Sequence, residues 1–245
     1  CANNLKQIGL GILQFVDTHQ GNWPGIAGHV HSLRAGVNQE EMSWIETVAP
    51  FMEDVDSVRI CPEHDDVTGG RFRFKPREFD EDGRVIDDGD DRPLAPSSYA
   101  MNGYLRERRP RDPIWPPPVV EAWRAQERGV VSSYYKLQST TDTLMVLEGT
   151  TFAVANNYDH AHTYEWFSLV NLANNAPPQR AVWHAVAGNP KTNKHGELAV
   201  DRHQGKVANY LFACGRVEAI AADQVAEWCD RGFNFALPNN ADLTR

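Results

Sequence analysis

The most regular hydrophobic pattern lies at the start of the chain. Between Cys1 and His19, apolar side chains fall at Leu5, Ile8, Ile12 and Phe15. Offsets of three and four residues put them on one face of a helix. Lys6, Gln7, Gln14 and Asp17 supply polar positions, while Leu10, Leu13 and Val16 widen the apolar stripe. That width predicts a helix buried on more than one side. Gly21, Pro24 and Gly25 end it. A second helix or extended turn is expected from Ser43 to Met52, with Ser43 as N-cap and Glu46 at the capping-box position.

Beyond this point the pattern turns to strands. Ser57 to Pro62 reads as a short strand stopped by proline, and Arg71 to Lys75 as another. Phe79 to Ile86 carries Asp82-Gly83 between apolar residues, a hairpin signal. Arg106 to Pro118 is rich in proline and arginine and reads as an irregular excursion. Ser98 to Asn102 is expected in the core, with Asn102 bonding backbone groups. Thr143 to Glu148 and His162 to Leu169 read as core strands. The clearest strand runs from Val207 into a turn at Cys214-Gly215-Arg216 and returns from Val217 to Ile220. Ala222 to Asp230 reads as a closing helix. One helix followed by mostly antiparallel strands is an α+β layout. No fixed-period repeat and no low-complexity linker divides the chain, so residues 1–245 are expected to form a single domain, with 69–135 as an insertion region.

Composition narrows the partners. The net charge is -9 and no basic stripe offsets it, which argues against nucleic acid. No apolar run approaches the roughly 20 residues needed to span a bilayer. The chain starts inside what already reads as a helix, so an upstream segment is expected, removed by truncation or by processing. Four cysteines are present at Cys1, Cys61, Cys214 and Cys229. Their wide spacing disfavours a zinc ribbon. Pairing the two that lie close in sequence, Cys214 with Cys229, leaves Cys1 with Cys61. Two such bonds would place the protein in an oxidising compartment; four buried free thiols are the alternative.

Several residues invite chemistry. Asp80, Asp82 and Asp87 lie in an acidic segment that resembles the middle of a calcium loop, although Gly89 stands where a bidentate glutamate belongs. A plain Asp-Gly hairpin with a solvated flank is the competing reading. His160 and His162 alternate and, with His195 or His203, could build a metal site; hydrogen-bonded histidines are the plainer reading. Trp115 and Trp123 flank the proline-rich excursion and are candidates for an exposed ligand-binding patch. Neither Gly-x-Ser-x-Gly nor His-Glu-x-x-His occurs, and no glycine-rich phosphate loop is present. No catalytic group and no cofactor other than calcium is therefore predicted. Glu148 reads as a structural hydrogen-bond acceptor.

One set of segments carries a family resemblance. Cys1-Ala2-Asn3-Asn4-Leu5-Lys6-Gln7-Ile8-Gly9-Leu10 is similar to the segment that follows the prepilin helix in a large family abundant in planctomycete-type bacteria. That family is a domain of unknown function, sometimes labelled solute-binding-like, with an N-terminal prepilin cleavage and methylation signal. Asp17-Thr18-His19 before Trp23-Pro24, Ser43-Trp44, Cys61-Pro62, Ser98-Tyr99-Ala100-Met101-Asn102-Gly103-Tyr104 and Thr143-Leu144-Met145 ahead of Glu148 fit its pattern. So does Arg202-His203-Gln204-Gly205 leading to Val217. The family has His, nine residues, then Asp-Gly; here the gap after His203 is one residue longer and Cys214 stands at the Asp position. Arg216 replaces a common His. The new cysteine makes a Cys214–Cys229 bond more attractive.

The resemblance implies a pilin-like fold, with an N-terminal helix packed on an antiparallel sheet and loop insertions. It implies a structural subunit of a pilus- or pseudopilus-like (type II secretion or type IV pilin-like) assembly, or a membrane-tethered surface protein. Its partners would be further pilin-like subunits, met through the N-terminal helix, and the membrane, met through an upstream helix. The setting would be extracytoplasmic. A solute- or glycan-binding module is the alternative.

Overall fold

The computed structural model describes residues 1–26, 43–64, 97–107, 127–155, 158–173, 178–189, 191 and 194–239. The calcium candidates Asp80, Asp82 and Asp87, the hairpin at Asp82-Gly83, the strand expected at 71–75, and Trp115 and Trp123 all lie outside these residues.

Helix α1 (Ala2–Thr18) forms as its periodicity predicts and buries Leu5, Ile8, Ile12, Phe15 and Val16. Its apolar stripe is narrower than expected, because Leu10 remains 61% exposed. Leu10 lies one turn from Gln7 and Gln14 on the solvent side, so the helix is buried along one face only. Two glycines let α1 sit low. A Cβ at Gly9 would lie 3.0 Å from Leu211 Cδ1, and one at Gly11 would lie 2.8 Å from Met52 Cγ.

Helix α2 (Trp44–Val48) starts with the predicted capping box, in which the Ser43 backbone N–H donates to Glu46 Oε2 at 3.2 Å. A tight turn follows at Ala49–Phe51. The strand expected at Ser57 to Pro62 is instead a one-turn helix, α3 (Val55–Val58), and then a turn. Asp54 Oδ1 accepts from the Ser57 N–H at 3.2 Å, so a local cap overrides the β-branched pattern.

The central sheet comprises β1 (Tyr99–Asn102), β2 (Leu144–Glu148), β3 (His160–Ala161), β6 (Val207–Phe212) and β7 (Val217–Ala221). The order is β3-β1-β2-β6-β7; every pairing is antiparallel except β1 with β3. A separate ribbon joins β4 (Gly188–Asn189) to β5 (Lys194–His195). Strand β1 is interior to the sheet and comes from the 69–135 segment expected to be an insertion. Asn102 at its end is fully satisfied. Its Nδ2 donates to Leu144 O (2.8 Å) and Ala236 O (2.7 Å), and its Oδ1 accepts from Tyr104 N (3.1 Å) and Thr163 Oγ1 (2.7 Å).

The register of β2 slips between Leu144, opposite Phe212, and Val146, opposite Leu211. This bulge sends Met145 and Val146 into the core beneath α1; along the other side of β2, Glu148 pairs with Tyr99 of β1. The other sheet face carries Ala100, Leu144, Leu147, Tyr210 and Phe212 against Trp166, Val182, Trp228 and Phe235. A second helical layer supplies that cover: α5 (Thr163–Trp166), α6 (Leu169–Ala173), α7 (Pro178–Val186) and the predicted α8 (Ala222–Asp230), while the short α4 (Thr151–Ala155) follows β2. The strand expected at His162 to Leu169 is replaced by α5 and a turn, closed by Glu165 N donating to His162 O at 2.7 Å and Ser168 N to Glu165 O at 3.0 Å. The fold is therefore mixed helix and sheet, with an N-terminal helix on a five-stranded, mostly antiparallel open sheet.

Candidate functional site

Four segments converge where α1 begins. Cys1 stands at the N-cap of α1 and is disulfide-bonded to Cys61, which follows α3; their Cα atoms are 5.2 Å apart. Cys61 is held by its backbone N–H donating to Ser98 Oγ at 3.0 Å. Asn4, one turn into α1, donates from Nδ2 to Ile60 O at 3.0 Å. The helix start is thus tied covalently and by hydrogen bond to one loop.

Beside the disulfide, the end of β2 presents Glu148, whose side chain has no exposed surface. Its Oε1 lies 2.8 Å from His203 Nε2, and its Oε2 accepts from the Asn209 N–H at 3.0 Å. His203 is delivered by a tight turn closing β6, where Gly205 and Lys206 both take positive φ and His203 N donates to Val207 O. Its Nδ1 lies 2.7 Å from Glu63 Oε2. Arg202 donates to the carbonyls of Gly149 and Ser98. Burial, and after it the Glu148 carboxylate, pushes the hydroxyl pKa of Tyr99 well above the usual phenol range; the same two causes act on Tyr210.

The Sγ atoms of Cys1 and Cys61, one Glu148 oxygen and one His203 nitrogen all lie within 4.8 Å of one another. Thiolates, an imidazole and a carboxylate form a donor set suited to a borderline-soft divalent cation. With the sulfurs bonded to each other, the cluster acts as a staple linking α1, the loop after α3, β2 and the turn before β6.

The predicted histidine pair sits elsewhere. The rings of His160 and His162 are 4.9 Å apart. His160 Nδ1 lies 2.8 Å from Asp159 Oδ1, and His162 Nδ1 lies 2.7 Å from Glu197 Oε1. Glu197 also accepts from Trp166 Nε1 at 2.9 Å. His195 stacks on Phe152, while His203 belongs to the Glu148 cluster.

The structure separates Cys214 from Cys229, contrary to the expected second disulfide: both are free thiols, Cys214 exposed and Cys229 buried. Cys214 lies in the β6–β7 turn on the α1 side, where a Cβ on neighbouring Gly215 would meet Leu13. Cys229 lies in α8 within the core on the opposite sheet face. Burial pushes the Cys229 thiol up to about 12. Residues missed by sequence reasoning are Glu63, Asn209 and the joint role of His203 with Glu148. The only signal was that Glu148, His203 and Cys61 each lie in segments carrying the family resemblance.

Among the described residues no helix is long and apolar enough to cross a membrane. Comparison of the chain with protein families, with curated proteins and with solved structures gave no match.

Proposed function

We propose that this chain is the head of a pilin-like surface protein that works without catalysis, as a structural subunit of a pilus- or pseudopilus-like assembly or as a membrane-tethered protein using the same helix. The observation that carries this reading is the staple at the start of α1. The helix lies across an antiparallel sheet, and its N-cap residue is bonded to Cys61. In an assembly held through its helices, load enters at α1, and the covalent link from its first residue to the loop after α3, itself hydrogen-bonded to Ser98 beside β1, ties the helix start to the body of the fold. A disulfide also suits an oxidising, extracytoplasmic setting. The outer row of α1, with Asn3, Lys6, Gln7, Leu10 and Gln14 exposed, offers a contact surface for a neighbouring subunit. The resemblance of the segments around Cys1, Cys61, Glu148 and His203 to the prepilin-bearing family points the same way.

The full reading frame tests this. A prepilin peptidase site followed by about 20 apolar residues, with product that sediments with membranes or filaments, supports the proposal. So does disulfide cross-linking between subunits carrying Leu10→Cys. An ordinary cleavable signal peptide with freely secreted monomer overturns it and puts an extracytoplasmic solute- or glycan-binding module in its place.

A further inference from the structure

We propose that Cys1, Cys61, Glu148 and His203 form a redox-gated site for a zinc-class divalent cation, closed while the two sulfurs are bonded to each other and opened by a dithiol reductant. The four ligand atoms already lie within 4.8 Å of one another. A tetrahedral site with metal–sulfur bonds of about 2.3 Å and metal–nitrogen bonds of about 2.0 Å needs ligand atoms about 3.3–3.8 Å apart. On reduction the two sulfurs, no longer bonded to each other, move apart to that spacing, and side-chain rotations bring the carboxylate oxygen and the ring nitrogen to it.

Two further features favour a ligand role over chance proximity. Histidines that bind metal usually give their second ring N–H to a carboxylate, which fixes the tautomer and aims the other nitrogen. Glu63 Oε2 stands 2.7 Å from His203 Nδ1, and Nε2 points into the cluster. Glu148 is likewise held in place, by Asn209, whose backbone N–H donates to Oε2 and whose Nδ2 donates to Oε1, while His203 Nε2 lies within 3.0 Å of both oxygens. Hard cations disfavour thiolates, so calcium and magnesium do not fit this set.

The exchange balances. The dithiol passes two electrons to the Cys1–Cys61 bond, becomes a cyclic disulfide itself, and leaves two thiols. Cation binding then displaces one proton from each thiol to solvent, and any proton on His203 Nε2 with them. In the reverse exchange the cyclic disulfide takes two electrons from the two thiolates and two protons from solvent, becomes the dithiol again, and leaves the re-formed Cys1–Cys61 bond, which expels the cation. Disulfide and bound metal are mutually exclusive.

The test uses the whole chain carrying Cys214→Ser, which removes the exposed thiol outside the site. The protein is reduced with a resin-bound dithiol, filtered, and titrated anaerobically with cobalt(II), a spectroscopic substitute for zinc. The expected result is a thiolate-to-cobalt charge-transfer band with tetrahedral d–d bands, saturating at one equivalent and absent from the oxidised protein. Zinc should displace the cobalt and bleach the bands. Cys61→Ser should abolish them, and Glu63→Gln should weaken binding about 10- to 100-fold, as loss of an orienting carboxylate does. Far-UV circular dichroism is followed throughout. A reduced chain that stays folded without developing the bands overturns the proposal, as do bands that persist in Cys61→Ser. If reduction unfolds the chain, refolding by zinc supports the site and failure to refold overturns it.

Discussion

His203 Nε2 lies 2.8 Å from Glu148 Oε1 while its Nδ1 lies 2.7 Å from Glu63 Oε2, so one imidazole bridges a carboxylate with no exposed surface and one that is 56% exposed. An ionised carboxylate only accepts hydrogen bonds. Both contacts are therefore satisfied together when each ring nitrogen carries a proton. Through this residue the turn before β6 is bonded to the end of β2 and to the loop after α3.

The two carboxylates should answer very differently to mutation. His203→Ala removes a hydrogen-bond partner from the buried Glu148 carboxylate, which costs about 1.5–3 kcal/mol. Glu63→Gln removes only the solvated partner and costs less than about 1 kcal/mol. Urea unfolding of the oxidised protein measures both. Equal losses would mean that Glu148 does not depend on the imidazole.

The disulfide closes a loop of 60 residues. Chain entropy alone assigns such a cross-link about 4 kcal/mol. Cys61→Ser should lower the unfolding free energy by about that amount and leave the sheet intact by far-UV circular dichroism. A loss below about 1 kcal/mol would show that the hydrogen bonds of Asn4 and Ser98 hold the helix start unaided.

The remaining thiols should differ in reactivity and in pH response. The thiolate is the nucleophile, and Cys229 is buried with its thiol pushed up to about 12. Oxidised native protein at pH 8 should therefore expose one reactive thiol, Cys214, and a second only on unfolding. A native count of zero would restore the Cys214–Cys229 bond. Cys229 also affects stability. Its ordinary value is 9.0, so above about pH 9 the unfolded thiol ionises while the folded one keeps its proton. The folded state then binds more protons, and stability falls by about 1.4 kcal/mol per pH unit up to about pH 12. Cys229→Ala should lose this slope relative to wild type; identical slopes in the two proteins would sink the assignment.

How legible these features were depended on how local their causes are. Helix α1, the Ser43–Glu46 box and the Val207–Ala221 hairpin rest on periodicity, capping and turn chemistry within a few residues, and all were readable. The core role of Asn102 was readable too, because a polar side chain among strand residues must bond backbone groups. The strand expected at Ser57 failed because the Asp54 cap outweighed apolar content. The strand expected at His162 failed because its aromatic run serves a one-turn helix that delivers Trp166 to the core. The Glu148–His203–Glu63 chain was not readable as a unit. It joins residues 55 and 140 positions apart, which only the folded chain brings together.

Neighbouring positions on α1 provide the sharpest check on how the helix is seated. Gly9 faces Leu211, whose Cδ1 would lie 3.0 Å from an added Cβ, while Leu10, the next residue, is 61% exposed. Gly9→Leu gains some helix propensity, about 0.8 kcal/mol. It must also force a side chain between α1 and β6, an overpacking cost of about 1–3 kcal/mol. The net should be destabilising. Leu10→Glu should change stability by no more than about 0.5 kcal/mol, as surface substitutions do. If α1 carries subunit contacts, the same substitution in the full-length protein should abolish assembly while the monomer remains folded. Urea unfolding of the two variants, read with sedimentation of the full-length protein, separates the effects. A stable Gly9→Leu protein would mean that α1 does not lie against β6, and assembly untouched by Leu10→Glu would remove the outer row of α1 from the subunit contact.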